Sequence, residues 1–259
     1  DKVNYTDREL FRLLNSENSI PYSSDQYDLL IPIFDQFINS IDVEIRQRGR
    51  TVLKNSIVDY EKINFKLDTY KNQIIIVTDE TYPIVKLFKI PYTNKKLDEG
   101  MAKIIVKYED VIEEHDIKVL WNGKPRSLRD PESAIEMLKI IGKKSQADSL
   151  LDEHEEEYGQ VLSDYWRKFD NDTSTTFNEV YSEFYTRIDH ANEEYKILNG
   201  SPGALCDRGI VYVKYGEPDS AVRSYNENYN IIEIWEYKST GMKIYFSDKT
   251  GTGEFKRFK

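Results

Sequence analysis

Two stretches decide the reading: Tyr158-Gly159-Gln160-Val161-Leu162-Ser163-Asp164-Tyr165-Trp166-Arg167-Lys168-Phe169, and Phe177-Asn178-Glu179-Val180-Tyr181-Ser182-Glu183-Phe184-Tyr185-Thr186-Arg187-Ile188. In the first, Tyr158, Val161, Leu162, Tyr165, Trp166 and Phe169 recur at i, i+3, i+4, i+7, i+8 and i+11, which places them on one helical stripe. The second repeats the spacing with Phe177, Val180, Tyr181, Phe184, Tyr185 and Ile188. The polar break 170–176 between them predicts an αα-hairpin, with Thr175 or Thr176 capping its second helix. An aromatic stripe at this spacing is read as core. Upstream, the acids of Asp152–Glu157 are expected to form the solvated start of the first helix, where negative charge suits the helix dipole.

Downstream, past Gly200-Ser201-Pro202-Gly203, the pattern turns strand-like at Ile231–Tyr237, Met242–Ser247 and Glu254–Phe258. These three segments predict a three-stranded antiparallel meander. Farther upstream, Asp130 as N-cap, Pro131 at the first position and Ala134, Ile135, Leu138 and Ile141 at helical spacing predict a helix from Pro131 to Gly142. From Tyr27 to Ile90 the period is two: Ile41, Val43 and Ile45 alternate with Asp42, Glu44 and Arg46, and Ile63, Phe65 and Leu67 repeat it. Turns fall at Arg48-Gly49-Arg50 and Lys71-Asn72, and Ile74–Val77 suits a strand buried on both faces. Short strands at this spacing predict an immunoglobulin-like β-sandwich. Between 91 and 130, Ile104-Ile105-Val106 favours a strand, Val111–His115 carries helix-forming acids, and only Ile117–Trp121 is assigned as strand. Residues 1–20 read as an amphipathic lead-in, Thr6 and Asp7 capping a short helix with Leu10, Phe11, Leu13 and Leu14. The fold class is α+β, with a β-sandwich-like domain at 1–125, a helical connector at 126–164 and an α+β domain at 165–259.

Composition narrows the function classes. A formal net charge of −10 repels phosphate backbones, and no basic cluster offsets it, so nucleic acid is not an expected partner. One cysteine, Cys206, precludes an intramolecular disulfide framework and a thiolate metal site. Three histidines disfavour imidazole chemistry, whereas 19 tyrosines and 11 phenylalanines supply core and contact surface. No apolar run is long enough to span a bilayer, and 39% hydrophobic with 32% charged residues is a soluble, globular balance. A start at Asp1 with no apolar leader is expected of a mature or trimmed product, with membrane association only through a lipid anchor outside this sequence.

Several pieces, in order, resemble a known bacterial, envelope-associated family, the GWxTD domain proteins. Tyr165–Asp170 is similar to the family's entry segment; Asn178-Glu179, Phe184–Ile188 and Ala191-Asn192 resemble its central helix. The naming motif falls on Gly203-Ala204-Leu205-Cys206-Asp207, continued by Arg208–Asp219, and Ile234-Trp235-Glu236-Tyr237 with Ile244–Asp248 resemble the closing strands. Trp121 with Pro125–Leu128 is similar to the segment that precedes the domain. Ala204 and Cys206 stand where the name has tryptophan and threonine. The frame survives in Gly203, Asp207, Gly216, Pro218, Asp219 and Trp235, which implies a structural signature: Gly203 taking a positive φ after Pro202, and Asp207 capping what begins at Arg208. A fainter likeness, of fold alone, is to small lipoproteins of outer-membrane protein assembly, and implies a short helix at Arg208–Tyr215. Val211-Tyr212-Val213 argues for a strand there, and both readings stay open.

Candidate chemistry is sparse. Cys206 with Asp207 and His190 with Asp189 form the nearest approach to a nucleophile, base and orienter, against a plain reading of Cys206 as a small buried residue and His190 as a helix-surface one. Glu217, Asp219 and Asp248 are candidate oxygen ligands for a hard cation but lack the spacing of a calcium loop, so no cofactor or metal is expected. Ser220–Asn230 reads as a contact loop, where Tyr225, Asn226, Asn228 and Tyr229 join aromatic area to adaptable hydrogen bonding; a polar connector is the alternative. No glycine-rich phosphate loop, zinc spacing or nucleophile elbow is present. The expectation is a non-enzymatic protein–protein interaction or assembly component, exported to the periplasm or outer membrane, whose partners are other envelope proteins such as an outer-membrane assembly or secretion complex. The alternative is a carboxylate-based hydrolase of envelope glycan using Asp207, Glu217 and Asp219, and a third is ligand or glycan binding by the sandwich alone.

Overall fold

The structure, a computed structural model, describes residues 9–13, 18–197, 200–225, 227 and 229–258. It is α+β, and it divides into unit 1, Asp1–Gly123 with Asp172–Phe177, and unit 2, Lys124–Asn171 with Asn178–Lys259. No helix among the described residues is long and apolar enough to cross a membrane.

Unit 1 contains β1 (Glu9–Arg12), β2 (Ser19–Pro21), β3 (Leu29–Ile33), β4 (Ile41–Gln47), β5 (Arg50–Ile57), β6 (Tyr60–Tyr70), β7 (Gln73–Thr78), β8 (Ile84–Ile90), β9 (Gly100–Tyr108) and β10 (Val111–Leu120). They form two five-stranded sheets, ordered β1-β7-β6-β8-β3 and β2-β10-β9-β4-β5, antiparallel except where β2 runs parallel to β10. One buried cluster draws on both: Ile31, Ile33, Phe88 and Ile90 from the first, Val43, Ile45, Ile104 and Val119 among those from the second. Both predicted turns are two-residue hairpin loops in left-handed backbone, Arg48 and Gly49 at φ 50° and 74°, Lys71 and Asn72 at 49° and 60°. That geometry matches the twist of the flanking strands.

Two expectations are corrected here. Glu9–Arg12, read as part of a helix, is strand β1, its register set by pairing with β7; Thr6, Asp7 and Leu14 of that reading lie outside the described residues. The acids of Val111–His115 do not make a helix, because the segment is the first half of β10 and pairs residue for residue with β9. Both carboxylates are exposed, Glu114 on the charged outer face and Glu113 on the other face bonded to the Tyr108 hydroxyl, and strand pairing overrides propensity.

That outer face is a lattice of charge. Thr51, Arg46, Lys103 and Asp116 form one cross-strand row, Lys54, Glu44, Ile105 and Glu114 the next. Glu44 accepts from Arg46 at 2.6 Å and from Thr51 at 2.8 Å, and Lys103 reaches Glu114 at 2.7 Å. Among the described residues of unit 1, one cation is buried. Lys86 is 1% exposed, and its ammonium donates to the carbonyls of Gln36 (2.7 Å) and Ile38 (2.6 Å) and to Asn39 Oδ1 (3.0 Å), with the Tyr60 ring 4.7 Å away. All three ammonium hydrogens are thereby used, which offsets the desolvation of a buried charge.

Unit 2 begins with a 3-10 turn at Arg126–Arg129, then α1 (Pro131–Glu136), which tightens to 3-10 at Met137–Ile141 and stops at Gly142 in left-handed backbone. Asp130 caps it by accepting from Ser133 N, as expected. Next come α2 (Lys144–Leu151), α3 (Tyr158–Arg167) and α4 (Glu179–Glu194). The predicted stripes meet: the Trp166 ring lies 4.9 Å from Phe184 and 6.2 Å from Tyr185. The cap of α4 is Asn178, not Thr175 or Thr176: its Oδ1 accepts from Tyr181 N at 2.9 Å while its Nδ2 donates to the Trp166 carbonyl at 2.8 Å. A single amide thus caps one helix and terminates the other, which a threonine hydroxyl cannot match in reach. Thr176 instead serves unit 1, donating to the Leu97 carbonyl, beside Phe177 packed on Tyr22 and Trp121.

The chain continues through a 3-10 turn at Gly203–Leu205 into α5 (Asp207–Tyr215), then β11 (Ser220–Tyr225), β12 (Ile231–Tyr237), β13 (Met242–Asp248) and β14 (Lys256–Arg257). Arg208–Tyr215 is therefore helix. The meander has four strands in sequence order, not three, because Ser220–Tyr225 pairs along its whole length with β12.

Candidate functional site

The naming-motif segment is held by close backbone approach. A Cβ on Gly203 would sit 2.2 Å from the Ala191 carbonyl oxygen on α4, and one on Gly209 would sit 2.0 Å from the Gly203 carbonyl oxygen. Two glycines thus let α4, the 3-10 turn and α5 stack without side chains between them. The positive φ expected of Gly203 is not what fixes it; proximity is. Asn192 Oδ1 receives Ala204 N at 3.0 Å and completes the clasp.

Asp207 does not cap α5. That role falls to Cys206, whose Sγ accepts from Gly209 N at 3.4 Å and faces the Tyr195 carbonyl at 3.6 Å. Asp207, the first residue of the helix, accepts from Arg257 N at 2.7 Å and so ties β14 to α5. At the other end Gly216 takes φ 78°, ψ −161°, backbone open to glycine, and donates to the Tyr212 carbonyl at 2.7 Å. Its own carbonyl receives the Tyr237 hydroxyl at 3.0 Å, and burial pushes that phenol up to about 12. Pro218 then turns the chain, and Asp219 accepts from Lys238 N at 2.7 Å, clipping β11 to the end of β12.

The largest concentration of buried charge lies under the sheet. Glu233, 5% exposed, accepts from Trp235 Nε1 at 2.7 Å on one oxygen, and from Arg223 Nε at 2.9 Å and Arg208 at 3.3 Å on the other. Arg208, 7% exposed, also donates to the Gly253 carbonyl at 3.3 Å, and its guanidinium lies 4.0 Å over the Phe255 ring. A carboxylate between two guanidiniums and an indole is neutralised and oriented, so its role is to fix α5, β11 and β12 relative to one another. Sequence reading missed this network, although a signal existed: on a period of two, Glu233 shares the face of Trp235 and Tyr237.

The proposed nucleophile set is not assembled. Asp189 spends its carboxylate on the backbone N–H groups of Arg126 and Ser127, His190 is exposed and stacks on Tyr212 at 4.5 Å, and Cys206 is engaged with backbone. Asp207 lies at the opposite end of α5 from Glu217 and Asp219, roughly 12 Å of helix away. Asp248 serves its own turn: its carboxylate accepts from Thr250, Gly251 and Gly253 N–H groups. Burial alone would raise its pKa, and those bonds outweigh burial and lower it. Among the described residues no cluster of three or more His, Cys, Asp or Glu is arranged to hold a metal.

The opposite face of the sheet carries the contact features. Val222, Ile234, Tyr245 and Phe258 form a row across all four strands, Val222 and Phe258 exposed, Ile234 and Tyr245 half-buried. Tyr225, the last residue of β11 and on its other face, is 71% exposed, and Tyr229 beyond it is 87% exposed at φ 59°. Asn226 and Asn228 lie outside the described residues. The segment read as a loop is thus half strand.

The model of the GWxTD domain family matches residues 98–258, more than half of the chain, and the chain belongs to this family. The match begins just before β9 of unit 1. No curated protein and no solved structure gives a significant match.

Proposed function

We propose that this GWxTD-family chain is a non-enzymatic interaction or assembly component of the bacterial cell envelope, working in the periplasm or at the outer membrane with other envelope proteins. The observation that carries the reading is the apolar row Val222–Ile234–Tyr245–Phe258 on the sheet face opposite Glu233, exposed at both its ends, with the exposed Tyr229 in the segment after β11. Apolar and aromatic surface of this kind marks recognition faces, since leaving it in water costs free energy that a partner recovers. Unit 1 is then an immunoglobulin-like sandwich acting as a carrier module, a reading supported by its two five-stranded sheets around one core. A photo-cross-linking residue in place of Tyr229, introduced in the producing cell, is expected to yield adducts with an envelope protein. Recovery of uncross-linked monomer alone would count against the reading.

A further inference from the structure

β11 is an outer strand of its sheet with one flank open. The other outer strands each carry a device that discourages pairing. β3 contains Pro32, β2 is three residues ending in Pro21, β14 is two residues, β1 has a register shift after Glu9, and β5 bears Arg50 and Lys54 beside the shift at Ile45/Arg46. β11 has no proline, no lysine and no register shift: it pairs with β12 over six consecutive residues, and Arg223 is its one charged residue. Among the described residues, 220–225 make no backbone hydrogen bond outside that ladder, and Ala221–Tyr225 are exposed throughout.

Acids flank this open edge at both ends, with Lys238 beside Asp219. Glu217 and Asp219 precede the strand and Glu227 follows it, all exposed, on a chain of net charge −10. The strand's one cation, Arg223, is committed to Glu233. We propose that β11 receives an extended, cationic segment of another polypeptide, which adds as a fifth strand and lays alternate apolar side chains beside Val222 and the row behind it. This deepens the interaction reading and rests on it. Main-chain hydrogen bonds would supply the affinity, and the acids at the strand ends the preference for lysine or arginine. A second copy of this acidic chain is disfavoured by like charge.

The test uses the whole chain and a short synthetic peptide alternating valine and lysine. Hydrogen exchange at the amides of 220–225 is expected to slow about tenfold at a peptide concentration about ten times its Kd. The same peptide with lysine replaced by glutamate, and one N-methylated along its pairing edge, are expected to leave those amides unprotected. Reversing the flanking charge with Glu217→Lys and Glu227→Lys is expected to move the preference toward the glutamate peptide. Equal protection by all three peptides, or by none, overturns strand addition, and so does protection produced by self-association without peptide. Cross-links from position 229 read the broader proposal separately: adducts with no peptide protection sink strand addition and leave that reading standing.

Discussion

The sheet β2-β10-β9-β4-β5 of unit 1 and the four-stranded sheet of unit 2 both bury an apolar face and differ in where they place their charge. The first buries Val43, Ile45, Ile104 and Val119 and shows water a lattice of Glu44, Arg46, Lys103 and Asp116. The second buries Trp235, Ile244 and Phe246 with Glu233 and Asp248 set among them, and exposes Val222 and Phe258. A charge lattice is a face designed to stay wet, because stripping water from it regains little. An apolar row over an internal ion network is the reverse: the charges hold the sheet in place, and the free face is available for contact. The same alternation of side chains serves both sheets; they differ in whether the ion network lies on the free face or within the buried one.

The contrast is broken most severely from inside. Glu233→Ala leaves Arg208 buried without its carboxylate and is expected to cost about 3–5 kcal/mol of stability, measurable by urea unfolding; a loss comparable to that of Glu44→Ala would show that the network is not holding the fold. Next comes the cap. Cys206→Thr replaces a weak sulfur acceptor by a hydroxyl at the start of α5 and is expected to gain about 0.5–1 kcal/mol in the same assay, and destabilisation would mean that the thiol is needed for its fit below Tyr195. Phe258→Ser on the exposed row is expected to change stability by less than about 0.5 kcal/mol, yet to reduce cross-linking from position 229, so a cooperative unfolding midpoint shifted well beyond that would place the row in the core instead. The gentlest test is pH. Glu44 ionises at about 2 in the folded chain, from a value of 4.5 without its partners, mainly because Arg46 and then Thr51 donate to it. The sign follows: its contribution is whole above pH 4.5 and disappears as pH falls through about 2. An NMR titration of the Glu44 carboxyl centred near its ordinary value would dissolve the lattice picture.

Much of this architecture is visible in the chain because local and global preferences agree. The stripes of α3 and α4, the alternation of Ile41, Val43 and Ile45, and the turns at Arg48-Gly49 and Lys71-Asn72 each point one way. Where they disagree, tertiary context decides. Val111–His115 has helical composition and is held as strand by β9, while Val211-Tyr212-Val213 has strand composition and is helix because Gly203, Gly209 and Ala191 dock there at backbone distance. β11 escaped notice for a different reason: with nearly all of its residues exposed it has no alternation to read, and only the pairing with β12 makes it a strand. For the site, the framing residues can be named from the sequence, but their contacts cannot. The sequence cannot show that Asp207 reaches Arg257, or that Arg208 and Arg223 converge on Glu233 across 25 and 10 positions.

Lys86 gives unit 1 a built-in clock. A lysine 1% exposed, its head group held by Gln36, Ile38 and Asn39, is out of reach of an acylating reagent, whereas the lysines of the outer lattice stand in solvent. In a pulse of amine-reactive reagent this residue is expected to be modified last, at a pace set by how often the strands around it part. Following one mass-shifted peptide would then report the breathing of the whole module under any solution condition, with no dye, tag or substitution added.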